Sequence, residues 1–257
     1  MTIVAVFVGP AGSGKTTLAH RYGLWLKTRL FLKTALVNLD PGAENILYKP
    51  VFDVRELFTL RDIMLKYGLG PNGAFLRASE LIAEHIDEIM SRTPFNDIDS
   101  WDIVLIDTPG QMEAFIFRKA SNVFFEALNK IAKPVIVFVL DASAITTLAD
   151  MVTLWFLHVL VQVKTGLIVV PVINKVDIAA NVDYIKKLVE EPEELMNIIK
   201  KDVKEGLLSD IAPDLLSIAI KTKAPVRSVL VSASNQDDFI ELHTLIHEAY
   251  CACGDLT

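Results

Sequence analysis

A doubly wound α/β domain, its mainly parallel sheet flanked by helices, is the fold that this 257-residue sequence predicts. Three observations predict it. Six short runs rich in Val and Ile recur along the chain. Most are apolar on both alternating faces, as strands covered on both sides are. Helical patterns separate them, which favours parallel crossovers over hairpins. The strands are predicted, in order, at residues 3–8, 35–39, 102–106, 134–140, 167–173 and 229–232. Helices are predicted over 16–28, 74–91, 111–131, 146–163 and 238–250. The long connection between the second and third predicted strands, residues 41–100, is an insertion with helical patterns of its own, so the two strands it joins should run parallel. Residues 181–223 are charged, helical in period and interrupted at Pro192 and Pro213. They read as a helical insertion or lid beside the ligand site, or as an ordinary surface excursion.

Composition narrows the class. With 52% hydrophobic residues and a mean hydropathy of +0.40, the chain is too apolar to be disordered. Its formal charge of −7 and pI near 5.3 argue against direct binding to nucleic acid or anionic lipid. Cys251 and Cys253 are the two cysteines, too few for a disulfide framework. The opening residues lack a basic signal-peptide region, and no apolar run reaches the roughly 18 residues that a membrane span needs. The expectation is a single cytoplasmic domain over 1–257. His243, His247 and Cys251 recur every four residues on the last helix, but amphipathic packing accounts for that pattern.

The chemistry begins after the first strand. Gly9-Pro10-Ala11-Gly12-Ser13-Gly14-Lys15-Thr16 satisfies G-x-x-x-x-G-K-[ST] between a strand and a helix. The backbone of Gly12, Ser13 and Gly14 can turn its N–H groups onto phosphate oxygens, and the helix beginning with Lys15, Thr16 and Thr17 adds its positive dipole end. Lys15 can reach the β and γ phosphates, and the Thr16 hydroxyl is placed to ligate Mg²⁺. A P-loop nucleotide hydrolase is the architecture implied.

Asn174-Lys175-Val176-Asp177 ends the fifth predicted strand as N-K-x-D. The Asp177 carboxylate would accept from guanine N1–H and N2–H₂, while the Lys175 stem packs on the ring. Adenine offers no donors there, and a site built on such bonds can reject an analogue lacking them by roughly 10⁴-fold. Ser232-Ala233-Ser234 comes after the last strand as a companion loop with an N–H for guanine O6. Asp107-Thr108-Pro109-Gly110 is a D-x-x-G segment: Asp107 would hold Mg²⁺ and the Gly110 N–H would meet the γ phosphate, so that loss of that phosphate releases the segment beyond Gly110. Gln111 can orient an attacking water. Glu113 either polarises that water or favours the start of its helix. Asp40, in Asn38-Leu39-Asp40-Pro41-Gly42, is a second candidate for the metal or for activating water; otherwise it is a turn aspartate.

Gly70-Pro71-Asn72 lies in the long insertion. Together with the phosphate loop, Asn38–Pro41, Asp107–Gln111 and Asn174–Asp177, in that order, it makes the chain resemble the GPN-loop GTPases over nearly its whole length. The resemblance implies a Mg²⁺-dependent enzyme that converts GTP to GDP as a homodimer, the Asn72 loop of one subunit approaching the other's phosphates. Pro71 would stiffen that loop, and Gly70 and Gly73 would permit close backbone approach. The resemblance also implies a helical lid and, from eukaryotic members, a part in RNA polymerase assembly. The sequence departs from the parallel-sheet nucleotide hydrolases of the signal-recognition and septum-site ATPase class, which often carry an extra lysine where Pro10 stands. No arginine finger is identifiable: Arg21 and Arg29 lie down the first predicted helix, away from its phosphate-binding end, and Arg55, Arg61 and Arg77 fall in the insertion. Two other readings stay open: an ATPase of the same class, and a nucleotide-gated scaffold with negligible hydrolysis.

Overall fold

Most of the strand-forming runs have no polar face, and the computed structural model, which describes residues 2–190, 214 and 228–255, buries both faces of all but the last, where Leu230 is partly exposed. The strands are β1 (Ile3–Val8), β2 (Thr34–Asn38), β3 (Phe52–Asp53), β4 (Ile103–Asp107), β5 (Pro134–Asp141), β6 (Val169–Asn174) and β7 (Val229–Val231). They form a seven-stranded sheet in the order β3-β2-β4-β1-β5-β6-β7, with every pairing parallel. Alternation along β1 divides the core in two. Val4, Val6 and Val8 join one apolar cluster and Ile3, Ala5 and Phe7 the other.

The helices that cover these faces are α1 (Lys15–Arg29), α2 (Leu60–Tyr67), α3 (Pro71–Glu84), α4 (Ile86–Met90), α5 (Met112–Ile116), α6 (Lys119–Asn129), α7 (Leu148–Thr165), α8 (Val182–Glu190) and α9 (Asp238–Asp255). α1 and α9 pack Leu18, Tyr22, Leu242 and Ile246 on one side, whereas α3 and α6 pack Ala78, Ile82, Phe124 and Leu128 on the other. β1 lies between β4 and β5, so the chain departs from it to opposite sides of the sheet. The loop at its carboxyl end opens on the crevice where such sheets bind ligands.

Three expectations are corrected. The sheet has a further edge strand, β3, whose two residues are too few to show a period. The helix expected over 74–91 is two, α3 and α4, divided at His85, where both the backbone N–H and ring Nδ1 bond the Leu81 carbonyl at 2.9 Å. The helix expected over 111–131 is also two, α5 and α6. Arg118 is extended between them, and the Ser121 hydroxyl donates to the Ile116 and Arg118 carbonyls at 2.7 and 3.0 Å, across the break. The expected lid over 181–223 begins with α8; its remainder, Pro192 and Pro213 included, lies outside the described residues apart from position 214. No helix among the described residues is long and apolar enough to cross a membrane.

Candidate functional site

The phosphate loop is shaped by what it must clear. Gly14 has φ +89°, and a Cβ there would stand 2.6 Å from Asn174 Nδ2. Glycine therefore lets the loop touch the end of β6 and cap α1 in a left-handed conformation. Lys15 is 5% exposed, and its ammonium donates to the carbonyls of Gly9 (2.8 Å), Pro10 (2.9 Å) and Gly110 (3.3 Å). Burial lowers its pKa, opposed by the negative charge of Asp107, Asp40 and Glu113. One cation thus joins the phosphate loop to the D-x-x-G segment.

Asp107 ends β4 beneath that loop, fully buried. Burial raises its pKa to about 7, against the nearby Thr16 hydroxyl and Lys15. Tyr48, which no motif pointed to, donates to Asp107 Oδ2 at 3.3 Å. Asp107 Oδ1 is buried with no hydrogen-bond partner among the described residues. A buried carboxylate oxygen left over beside a threonine hydroxyl is a donor set that suits a hard divalent cation. Asp40, after β2, accepts from Gly42 N–H through Oδ1 (2.8 Å) and from Gly110 N–H through Oδ2 (3.0 Å). Burial raises its pKa too, against these two amides. The amide expected to face a γ phosphate is thus held by Asp40.

Gln111 is the next residue, and its Nε2 donates to Asn72 Oδ1 of the same chain at 3.4 Å. Gly70-Pro71-Asn72 is less a loop than expected. Gly70 is the N-cap of α3 and Pro71 its first residue, so Asn72 and Gly73 are already helical and Gly73 packs on Leu69. Glu113 occupies the exposed first turn of α5, where a carboxylate favours the helix. The arginines of the insertion are engaged elsewhere. Arg55 forks onto Asp53 and donates to the Ala43 carbonyl, while Arg77 pairs with Glu80 and Glu84. Arg61 is exposed on α2.

The other end of the site is a cleft of 240 Å³ between α1 and the ends of β6 and β7. Gly14 and Thr17 form its floor toward the phosphate loop; Asn174, Lys175 and Asp177 line one wall, and Ser232, Ala233 and Ser234 another. Asn174 Nδ2 donates to the Ser13 carbonyl at 3.0 Å. Lys175 has φ +65° and reaches back to the Gly12 carbonyl (2.6 Å) and Asp141 Oδ2 (2.5 Å). Asp238 accepts from Ser232 N–H at 2.7 Å, and the Ser232 hydroxyl takes the Ser234 N–H at 3.2 Å. Ala233 N–H has no partner among the described residues. Asp177 is exposed at the mouth.

All the motif residues therefore meet along one edge of the sheet. The motifs did not include Arg21, which lines the cleft, or Tyr48, Asp141 and Asp238, which position others. Asp141 alone left a signal, since it ends β5 beside the phosphate loop's strand.

Known proteins match this chain in sequence and in fold. The family described as conserved hypothetical ATP-binding proteins matches residues 7–252. GPN-loop GTPase PAB0955 of Pyrococcus abyssi is 34% identical over 258 residues, covering 99% of this chain and 100% of that one. GPN-loop GTPase 1 of Schizosaccharomyces pombe is 29% identical over 211 residues, covering 80% of this chain and 54% of its own. The chain spans the whole of the Pyrococcus relative and about half the length of the fission-yeast one. The crystal structure of PAB0955 in its apo form superposes with a TM-score of 0.87 at 32% identity, covering 98% of each chain.

Proposed function

The chain belongs to the GPN-loop GTPase family and is a GTP hydrolase, and on that premise we propose that it works as a Mg²⁺-dependent homodimer in the cytoplasm, reading guanine through Asp177 and completing each site with Asn72 of a second copy. The observation that carries the guanine reading is the cleft itself. The exposed Asp177 carboxylate and the unengaged Ala233 N–H line one cavity that opens onto the phosphate loop. Guanine presents two donors to the first and an acceptor to the second. Adenine would leave the carboxylate without hydrogen bonds, which argues against ATP despite the wording of the family description.

Thr16 and Asp107 would hold the metal, with Asp40 near enough to share its environment. A bound Mg²⁺ supplies positive charge against that gathering on the phosphoryl oxygens. The protein's own part is positional. Loop amides and Lys15 bind the β and γ phosphates. Gln111 and Asp40 orient water, and burial leaves Asp40 more willing to take a proton than an exposed aspartate. A γ phosphate and the Asp40 carboxylate compete for the same Gly110 N–H. Loss of the phosphate lets that contact re-form, which supports a switch between two arrangements of the segment after β4.

Calorimetry with GDP, ADP and xanthosine diphosphate tests the base reading. Wild type should bind GDP on the order of 10²-fold or more tighter than ADP, and Asp177→Asn should prefer the xanthine nucleotide, whose extra carbonyl an amide can serve. Equal affinity for GDP and ADP overturns it.

A further inference from the structure

We propose that Tyr48 is a positioning residue for the metal: its hydroxyl occupies one oxygen of the Asp107 carboxylate and leaves only the other to a divalent cation, an arrangement that suits Mg²⁺ and disfavours Ca²⁺. The proposal rests on the reading of Asp107 as a metal ligand. The two oxygens of that fully buried carboxylate are unlike. Oδ2 accepts from the Tyr48 hydroxyl at 3.3 Å, whereas Oδ1 has no hydrogen-bond partner among the described residues. The hydroxyl in turn makes no other hydrogen bond among them.

Tyr48 is itself buried, and its ring belongs to the apolar cluster that contains Leu18 and Tyr22 of α1. The His20 ring lies beside it, centroids 6.1 Å apart. Ile46, two residues earlier, packs on the same cluster. Three residues later, Val51 N–H donates to the Leu36 carbonyl at 2.7 Å and pins the chain to β2. A ring anchored in this way cannot turn its hydroxyl elsewhere without opening a close-packed core. Mutual need explains why a buried hydroxyl and a buried carboxylate oxygen pair. It does not explain why the second oxygen is left over, whereas a metal ligand held from behind does. Carboxylates that ligate metals are themselves fixed by such outer hydrogen bonds. Ca²⁺ gathers more oxygens than Mg²⁺ and accepts carboxylates through both atoms; Mg²⁺ keeps a small octahedron with several waters, in which one carboxylate oxygen is enough. With Oδ2 occupied, Asp107 serves the second pattern and not the first.

Titration calorimetry of Mg²⁺ and of Ca²⁺ into the full chain saturated with GDP, with free GDP as the reference, tests the assignment. Wild type should exceed free GDP in its preference for Mg²⁺ over Ca²⁺. Tyr48→Phe keeps the ring and removes the hydroxyl. It should weaken Mg²⁺ by about tenfold to a hundredfold, the usual cost of losing such a partner, and Ca²⁺ by clearly less, because Oδ2 becomes available to it. GDP affinity in excess chelator should be the same for both proteins. A wild-type preference no greater than that of free GDP overturns the proposal whatever the variant does. So does unchanged Mg²⁺ affinity in Tyr48→Phe, or an equal loss of both metals, or a matching loss of metal-free GDP affinity, which would be general damage to the site. Asp107→Asn separates this proposal from the reading beneath it. If that variant weakens Mg²⁺ while Tyr48→Phe does not, Tyr48 alone is misassigned. If Asp107→Asn leaves Mg²⁺ affinity unchanged, the metal reading falls and this proposal with it.

Discussion

A carboxylate held without water and short of partners works against the nucleotide-free fold. Asp107 is fully buried, and its pKa of about 7 lies above the ordinary 3.8. Between those values the folded state holds a proton that the unfolded state has released, so this group's contribution to stability falls as pH rises through the interval. Asp107→Asn removes the charge and keeps the shape. Scanning calorimetry of the nucleotide-free protein should show Tm rising by about 3 °C or more at pH 8, and by clearly less at pH 5. The same change at both pH values would mean that the buried charge carries no such cost. This residue was legible from sequence because D-x-x-G, like the phosphate loop and N-K-x-D, packs its ligand-facing groups into a few consecutive positions at a strand end. Tyr48 was not legible. It lies 59 positions from the carboxylate it touches, in a turn with no periodicity, and only the closing of the sheet brings them together. Asp141 and Asp238 each restrain a motif residue through a side-chain contact that lies outside every motif, 34 and 6 positions away, although Asp141 left the signal of its place at the end of β5.

Elements were legible where local chemistry and packing agree, and α7 shows the agreement. Thr147 caps it through the Asp150 N–H, and the Asp150 carboxylate answers with the N–H and hydroxyl of both Thr146 and Thr147. Those hydroxyls first, and then those amides, draw the Asp150 pKa down to about 2. The ionised form is favoured by folding, so the contribution is whole above the ordinary aspartate range and is lost as pH falls through about 2. Asp150→Ala should cost about 1 kcal/mol at pH 7, the usual scale for a helix cap. Urea midpoints measured from pH 7 down to pH 3 should show the gap between variant and wild type starting to narrow at the acid end, and a gap that widens there would contradict the assignment. Helix breaks were harder to foresee. Nothing apolar marks His85 or Arg118, since the periods on either side run on in phase, and the breaks depend on a ring nitrogen and a serine hydroxyl satisfying carbonyls. β3 escaped because two residues have no pattern. Gly70-Pro71-Asn72 reads as a turn by composition, yet proline suits the first position of a helix as well as it suits a loop.

The whole molecule brings the residues proposed for phosphate, metal and base to the carboxyl edge of a single sheet, where the order of strands reverses around β1. What one chain does not decide by packing is whose Asn72 serves which site. The start of α3 is exposed, and within one chain Asn72 already meets Gln111 at 3.4 Å. A second copy placed with its α3 terminus against this edge would bring another amide to the same glutamine. The two arrangements predict different outcomes for mixed dimers. Lys15→Ala removes the ammonium that joins the phosphate loop to Gly110 and should abolish tight nucleotide binding. Asn72→Ala should leave binding intact and slow turnover by roughly 10-fold to 10²-fold, the range for one lost transition-state donor. Each variant alone is therefore slow. In a mixed dimer the Asn72→Ala chain keeps a working phosphate loop and can receive Asn72 only from its Lys15→Ala companion. If the residue acts across the interface, co-expressed and purified heterodimers should recover about half the wild-type rate per dimer, one competent site of two. If it acts within its own chain, that heterodimer stays as slow as Asn72→Ala, and the homodimeric active site proposed here is wrong.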